Sequence, residues 1–220
     1  MSMIKLTHNA GFFSCCSVKL TEIVKFINLN NKLPDIVDSS QQFKLYKPLS
    51  YKNIDITNHF FQDYNNITNI ELSLPIKYHR SQQLKNYNEL DYKNIEQLIK
   101  KYFNPSNKIL EIVKTLETKY NFIYDNLVAV YFRGTDKVEG STPKFEDFYQ
   151  QIIKITNTNK NINILIQSDT KQFIDYIISK KLENIIIIHE NKVSKTNRGI
   201  HKENSGESNY YDILNFLSIV

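Results

Sequence analysis

Hydrophobic positions along the chain fall into two patterns. Three short runs are apolar at almost every position: LVAVYF from Leu127, INILI from Ile162 and IIII from Ile185. A run of that length without polar alternation reads as a strand covered on both faces. Between these runs, apolar residues recur at helical intervals, at Phe145, Phe148, Ile152 and Ile155 and again over Phe173–Ser179. That spacing puts one apolar stripe along one side of a helix. Strands alternating with helices predict the α/β class, with a parallel sheet covered on both faces.

The N-terminal half carries the same theme less regularly. Met3–Thr7 reads as a strand, HNAGFFSCCSV as a loop of small residues, Val18–Leu29 as an amphipathic helix and Lys32–Asp38 as a second strand. Together they make a βαβ unit. Gln41–Tyr78 is polar, dotted with aromatics and without sustained period, so it predicts irregular structure with short elements near Ile54–Thr57 and Ile70–Leu74. Helical period returns at Ile95–Phe103, is broken by Asn104-Pro105-Ser106, and resumes from Lys108 to about Lys119; a final helix is expected from about Tyr210. The break sets an expected division into an N-terminal unit, 1–100, and a C-terminal unit, 101–220.

Composition narrows the function classes. At 220 residues with 41% hydrophobic and 23% charged content, the chain can bury a sizeable core. The net charge of +5 suits an anionic ligand, but the lysines are scattered along the chain, which disfavours a nucleic-acid face. Cys15 and Cys16 are adjacent, a spacing that fits neither a metal site nor a structural bridge and predicts reduced thiols. With no apolar run near the length of about 20 residues that spans a bilayer, and no leader-like N-terminus, the expectation is a soluble, cytoplasmic chain.

Candidate chemistry sits in the loops that follow the apolar runs. The first ends in Arg133, Gly134, Thr135, Asp136 and Lys137, the second in Ser168 and Asp169, while His201 and Asp212 lie in the last loop and helix. In open parallel sheets, ligands bind outside the carboxyl ends of the strands. A guanidinium held there offers a planar fork of donors suited to a diphosphate, with Asp136 orienting it and Lys137 adding charge. The alternative for Arg133 and Asp136 is a structural ion pair in a turn. His59, His79 and Arg80 have no partner at ligand spacing and read as surface or satisfied side chains. GxGxxG, GxxxxGK[ST], HExxH, CxxC and GxSxG are all missing, so dinucleotide, P-loop, zinc and hydrolase-elbow sites are unsupported.

Taken in order, the motifs VAVYFRGTDKVEG, ILIQSDTKQF and GIHKENSGESNYYDILNFLS resemble those of the GDP-fucose-dependent fucosyltransferases of the α1,6 and protein O-fucosyltransferase superfamily. The likeness is strongest over about residues 103–218. It implies a GT-B-like fold of two Rossmann-like units, the first on the acceptor side and the second holding the donor. It further implies an inverting transfer of fucose from GDP-fucose to a glycan or protein acceptor, without a metal or other cofactor, cationic side chains neutralising the diphosphate instead. Under the resemblance Arg133 is catalytic, gripping the β-phosphate, and Glu139 is the base. Donor contacts fall to Asp136, Lys137, Ser168, Asp169, His201 and Asp212.

Several positions depart from the family pattern. Tyr131 stands where the family usually has His, Gly134 where it often has a second Arg, and Thr170 where it has a second acid. Ser141 occupies the place of the base in the α1,6 enzymes, and Glu139 comes two residues earlier. The chain also stops before the family's final strand and helix, which predicts an incomplete donor pocket. Two other readings therefore stand beside the transferase: an inactive nucleotide- or sugar-binding relative, and a basic nucleic-acid-binding protein.

Overall fold

The computed structural model describes residues 1–66, 70–79, 87–135, 143–196, 199–203 and 205–218. The protein is α/β, about half helix, with two small parallel sheets. It divides into two compact units: Met1–Glu111 with Ser205–Ser218, and a second beginning at Ile112 and running to Asn204. The division falls inside a helix, beyond the Asn104–Ser106 break that set the expected boundary, and the last helix groups with the first unit.

In the first unit, β1 (Met3–Lys5) leads through Gly11 into α1 (Phe12–Asn30), and β2 (Ile36–Asp38) then pairs in parallel with β1, Ile4 opposite Val37. The helix starts six residues earlier than periodicity from Val18 suggested. Phe12, Cys15 and Lys19 turn inward at helical spacing, so the small residues SCCS lie on the helix and not in a loop. At its other end Asn31 adopts a left-handed conformation, φ 53°, and its N–H reaches the Ile27 carbonyl, a common way of stopping a helix.

Residues 39–66 are irregular, as their polarity predicts, but they are tightly packed. The 3₁₀ turn at Lys44–Tyr46 and the one-turn α2 (Thr57–Phe60) bring Tyr46 and Phe60 onto Phe12, the turn at Leu49–Tyr51 sets Tyr51 against His59, and the turn at Tyr64–Asn66 packs Tyr64 on Tyr102. The Phe12 ring meets Phe43, Tyr46, Phe60 and Phe61 at centroid distances of 5.0–6.0 Å, and its N–H donates to the Tyr46 hydroxyl at 2.9 Å. Phe43 is fully buried although its φ is 58°, a conformation that costs an L-residue about 1–2 kcal/mol. Burying a phenyl ring offsets that strain.

Two long helices follow. α3 (Tyr92–Tyr102) is capped by Asp91, whose carboxylate accepts from Asn94 N–H, and buries Ile95, Leu98 and Tyr102 against Leu20, Ile23, Val24 and Ile27 of α1. The Asn104–Ser106 break restarts the chain as α4 (Asn107–Tyr120), with the Ser106 hydroxyl receiving Ile109 N–H and donating to the His59 carbonyl.

The second unit matches the periodicity closely. Strands β3 (Leu127–Phe132), β4 (Asn163–Ser168) and β5 (Ile185–Ile187) are parallel in the order β3-β4-β5, separated in sequence by α5 (Phe145–Thr158) and α6 (Lys171–Ser179). Alternate residues sort by face. Phe132, Ile164 and Ile166 pack with Ile152 of α5 and Phe173 and Ile177 of α6, whereas Leu165, Ile186 and Ile188 pack with Ile112 and Leu116 of α4. The sheet is therefore covered on both sides, which is why its strands read as unbroken apolar runs. A short α7 (Ile200–Glu203) follows, and α8 (Gly206–Leu217), capped by the Ser205 hydroxyl, returns to the first unit, starting one turn before the expected Tyr210. Among the described residues, no helix is long and apolar enough to cross a membrane.

Candidate functional site at the ends of β3 and β4

Register brings two of the expected loops side by side. Phe132 lies opposite Ser168 at the carboxyl ends of β3 and β4, so Arg133 and Asp169 each begin the loop beyond that pair. Asp169 is 9% exposed, and its carboxylate is turned onto the neighbouring loop. It accepts from Gly134 N–H at 2.7 Å, from Thr135 N–H at 3.3 Å and from the Thr135 hydroxyl at 2.6 Å. Bonds to an ionised carboxylate contribute about 1.5–3 kcal/mol each when buried, so Asp169 fixes the backbone directly after Arg133.

Ser168 acts in the same clasp. Its hydroxyl donates to the Phe132 carbonyl at 2.9 Å and accepts from Thr170 N–H at 3.0 Å. Thr170 caps α6 through Phe173 N–H and bridges to Ser194. Arg133, by contrast, is exposed. Gly134 is required by space alone: a Cβ there would stand 2.5 Å from the Phe132 ring and 2.7 Å from the Thr170 methyl group. Position 134 thus has no room for any side chain in this packing.

A further segment joins the same edge. Ser194 N–H donates to the Asp169 carbonyl at 2.8 Å, and the Ser194 carbonyl accepts from Lys171 N–H at 3.0 Å. The Ser194 hydroxyl donates to Glu203 of α7 at 2.7 Å, and Thr196 also binds that carboxylate. α7, which carries His201, is in this way fastened to the β4 end. The His201 side chain lies outside the described residues, as do Asp136, Lys137 and Glu139. Asp212 belongs to α8 in the first unit, half-buried, with the Ser208 hydroxyl 3.4 Å from its carboxylate.

One feature of this edge has no signal in the sequence. A cavity of about 170 Å³ opens beside the ends of β4 and β5, lined by Gln167, Ser168, His189 and Asn191 above an Ile166, Ile174 and Ile187 floor. Gln167 is 6% exposed, and its Nε2 has no hydrogen-bond partner among the described residues. An unmatched buried donor beside a cavity is a group awaiting an acceptor.

The first unit holds a second, larger hollow of about 660 Å³. Its floor is a polar relay: Lys108 Nζ lies 3.3 Å from the Tyr210 hydroxyl, which lies 3.0 Å from His59 Nδ1. Because an ammonium can only donate, the phenol accepts from Lys108, and the imidazole tautomer sets whether it donates to or accepts from His59 Nδ1. Burial, with the Lys108 charge adding to it and Asp55 opposing, holds the His59 pKa below the usual imidazole value, which favours the neutral ring. His59 is thus satisfied, as its isolation in the sequence predicts, but by a residue 151 positions away.

Among the described residues, no group of three or more His, Cys, Asp and Glu side chains could hold a metal ion. Comparison with protein-family models, with curated proteins and with solved structures finds no match to this chain.

Proposed function

We propose that the protein is an inverting glycosyltransferase of GT-B type that transfers a sugar, fucose from GDP-fucose, to a glycan or protein acceptor. The observation that carries this reading is Arg133, exposed on a loop whose next two residues are locked by buried Asp169 at the carboxyl edge of a parallel sheet. A guanidinium on a rigid mount is suited to a diphosphate, and its grip tightens as the departing group gains charge. α6 starts at the same edge, and the positive end of its dipole favours an anion there even though Lys171 and Phe173 N–H already have protein acceptors. The cavity next to Ser168, with the Gln167 amide N–H₂ as donor, offers a place for the base or ribose.

In the reaction, the acceptor oxygen bonds to the anomeric carbon as the bond from that carbon to the β-phosphate oxygen breaks. GDP leaves onto Arg133, with Lys137 adding positive charge. The acceptor proton passes to Glu139 as the base. Ser168 and Asp169 act as positioning residues for the loop that carries Arg133, and His201 keeps the donor role that the resemblance implies. No metal is required where cationic side chains neutralise the diphosphate. The test is release of GDP and formation of a fucosylated product from GDP-fucose. Arg133→Ala should lower kcat by about 10²-fold or more, the loss typical of removing one transition-state donor. Turnover unchanged in that variant, or binding of GDP-fucose with no transfer by the parent protein, would overturn the proposal.

A further inference from the structure

The hollow on the first unit is lined mainly by polar side chains. Four carboxamides, Asn58, Gln62, Asn66 and Asn107, stand around it, and none of these side chains bonds to another described residue. Asn58, Asn66 and Asn107 are exposed at the rim. Each carboxamide offers donors and an acceptor together, the combination that matches a hydroxyl, which also does both. The volume, about 660 Å³, lies within the range of small-molecule sites.

Charge and shape select among ligands. Lys108 and Asp63 are the charged lining residues; Lys108 is engaged with Tyr210, and Asp63 would repel an anion. A phosphate or carboxylate would therefore meet no net positive charge. An apolar ligand would strand the amides of the rim, at a cost for each buried unpaired group. A ligand rich in neutral hydroxyls satisfies all of them, and the half-buried Tyr51 ring, set edge-on to His59 at 5.1 Å, supplies an aromatic surface for the C–H faces of a pyranose.

We propose that this hollow is a carbohydrate-binding site, in which the carboxamide rim and Asp63 bind the hydroxyls of a neutral sugar above the Tyr210 floor. The assignment stands on first-unit residues alone and holds whether or not the second unit binds a nucleotide. Only the step of naming the bound sugar as the acceptor rests on the transferase reading.

The experiment is saturation-transfer NMR on the full chain with separate samples of fucose, galactose, mannose, glucose and N-acetylglucosamine, and inorganic phosphate followed by phosphorus line width. We expect saturation of at least one sugar, no phosphate broadening, and at least a tenfold weaker sugar affinity in the double variant Asn58→Ala with Asn107→Ala. Both residues are exposed, so that variant should keep the parent's melting temperature, and Asn66→Ala gives an independent second rim variant. A titration of GDP in the same samples should be unaffected by the rim variants, which separates this site from the nucleotide site. Saturation of no sugar, saturation that persists at equal affinity in the rim variants, or phosphate broadening lost with Lys108→Ala would each overturn the assignment.

Discussion

The two units place chemistry by different means. In the second, backbone register does the work: parallel pairing sets Phe132 opposite Ser168, and the loops beyond them meet because the strands end together. In the first, side-chain packing does it: Phe43, Tyr46, Phe60 and Phe61 close around Phe12, and His59, Lys108 and Tyr210 meet across 151 positions of sequence. A regular sheet tolerates variation in its side chains as long as they remain apolar. A packed irregular segment depends on each ring, so the first unit should be the more sensitive to single core changes in 39–66, and the second to changes at the strand ends.

The largest effects should come from removing one core anchor in each unit. Phe12→Ala and Phe132→Ala each delete a buried ring, a change that costs about 3–5 kcal/mol. If the units are separate cores, hydrogen exchange should show Phe12→Ala loosening α1 and α3 while β3 and β4 stay protected, and Phe132→Ala the reverse. Equal loss of protection in both units from either variant would show that the two cores unfold as one.

Next come the two glycines that allow close approach. Gly206→Ala would put a Cβ 2.2 Å from the Lys47 carbonyl oxygen, and Gly134→Ala would put one 2.5 Å from the Phe132 ring. Overpacking of this kind costs about 1–3 kcal/mol, read as a lower urea midpoint. The backbone oxygen beside Gly206 can yield less than a ring edge, so Gly206→Ala should be the more destabilising of the pair.

Asp169→Asn should cost about 1.5–3 kcal/mol, because it leaves Gly134 and Thr135 donors facing a group that is no longer charged. It should also weaken nucleotide binding through the loosened Arg133 loop. An unchanged nucleotide affinity would mean that the clasp does not position Arg133.

The smallest effect concerns pH. The folded-state pKa of His59 is depressed by burial and by Lys108, so its contribution to stability is present above the ordinary imidazole pKa of about 6.5 and is lost as pH falls through the lower folded value. His59→Gln should flatten that part of the stability profile relative to the parent. An identical acid limb in both proteins would exclude His59 as the group responsible.

What could be read from the sequence divides along the same line. The apolar runs at Leu127, Ile162 and Ile185 announced their strands because each is covered on both faces, by α5 and α6 on one side and α4 on the other. The loops carrying Arg133 and Asp169 were legible for the same reason, since a strand's carboxyl end fixes where its loop begins. What Asp169 does was not legible: nothing local distinguishes a carboxylate that binds ligand from one that holds Gly134 and Thr135. Nor was the true start of α1, because SCCS carries small side chains whose inward face shows only once Phe12 and Lys19 are seen buried with them. Tyr210 offered an aromatic at helical spacing and no hint that its hydroxyl would meet Lys108 and His59. Gln167 read as one more strand position, and only its burial without an acceptor sets it apart.

The proposed role of Arg133, on the loop that Asp169 fixes through Gly134 and Thr135, is to receive a guanosine diphosphate. Calorimetric titration of the full chain with GDP, UDP and ADP, run on the parent protein, on Arg133→Ala and on Gln167→Leu, measures that role. The expected result is that GDP binds best, that Arg133→Ala weakens GDP at least tenfold, and that Gln167→Leu erases the preference among the three nucleotides with a smaller loss of affinity. Equal affinity for all three nucleotides in the parent, or GDP binding untouched by Arg133→Ala, would contradict it.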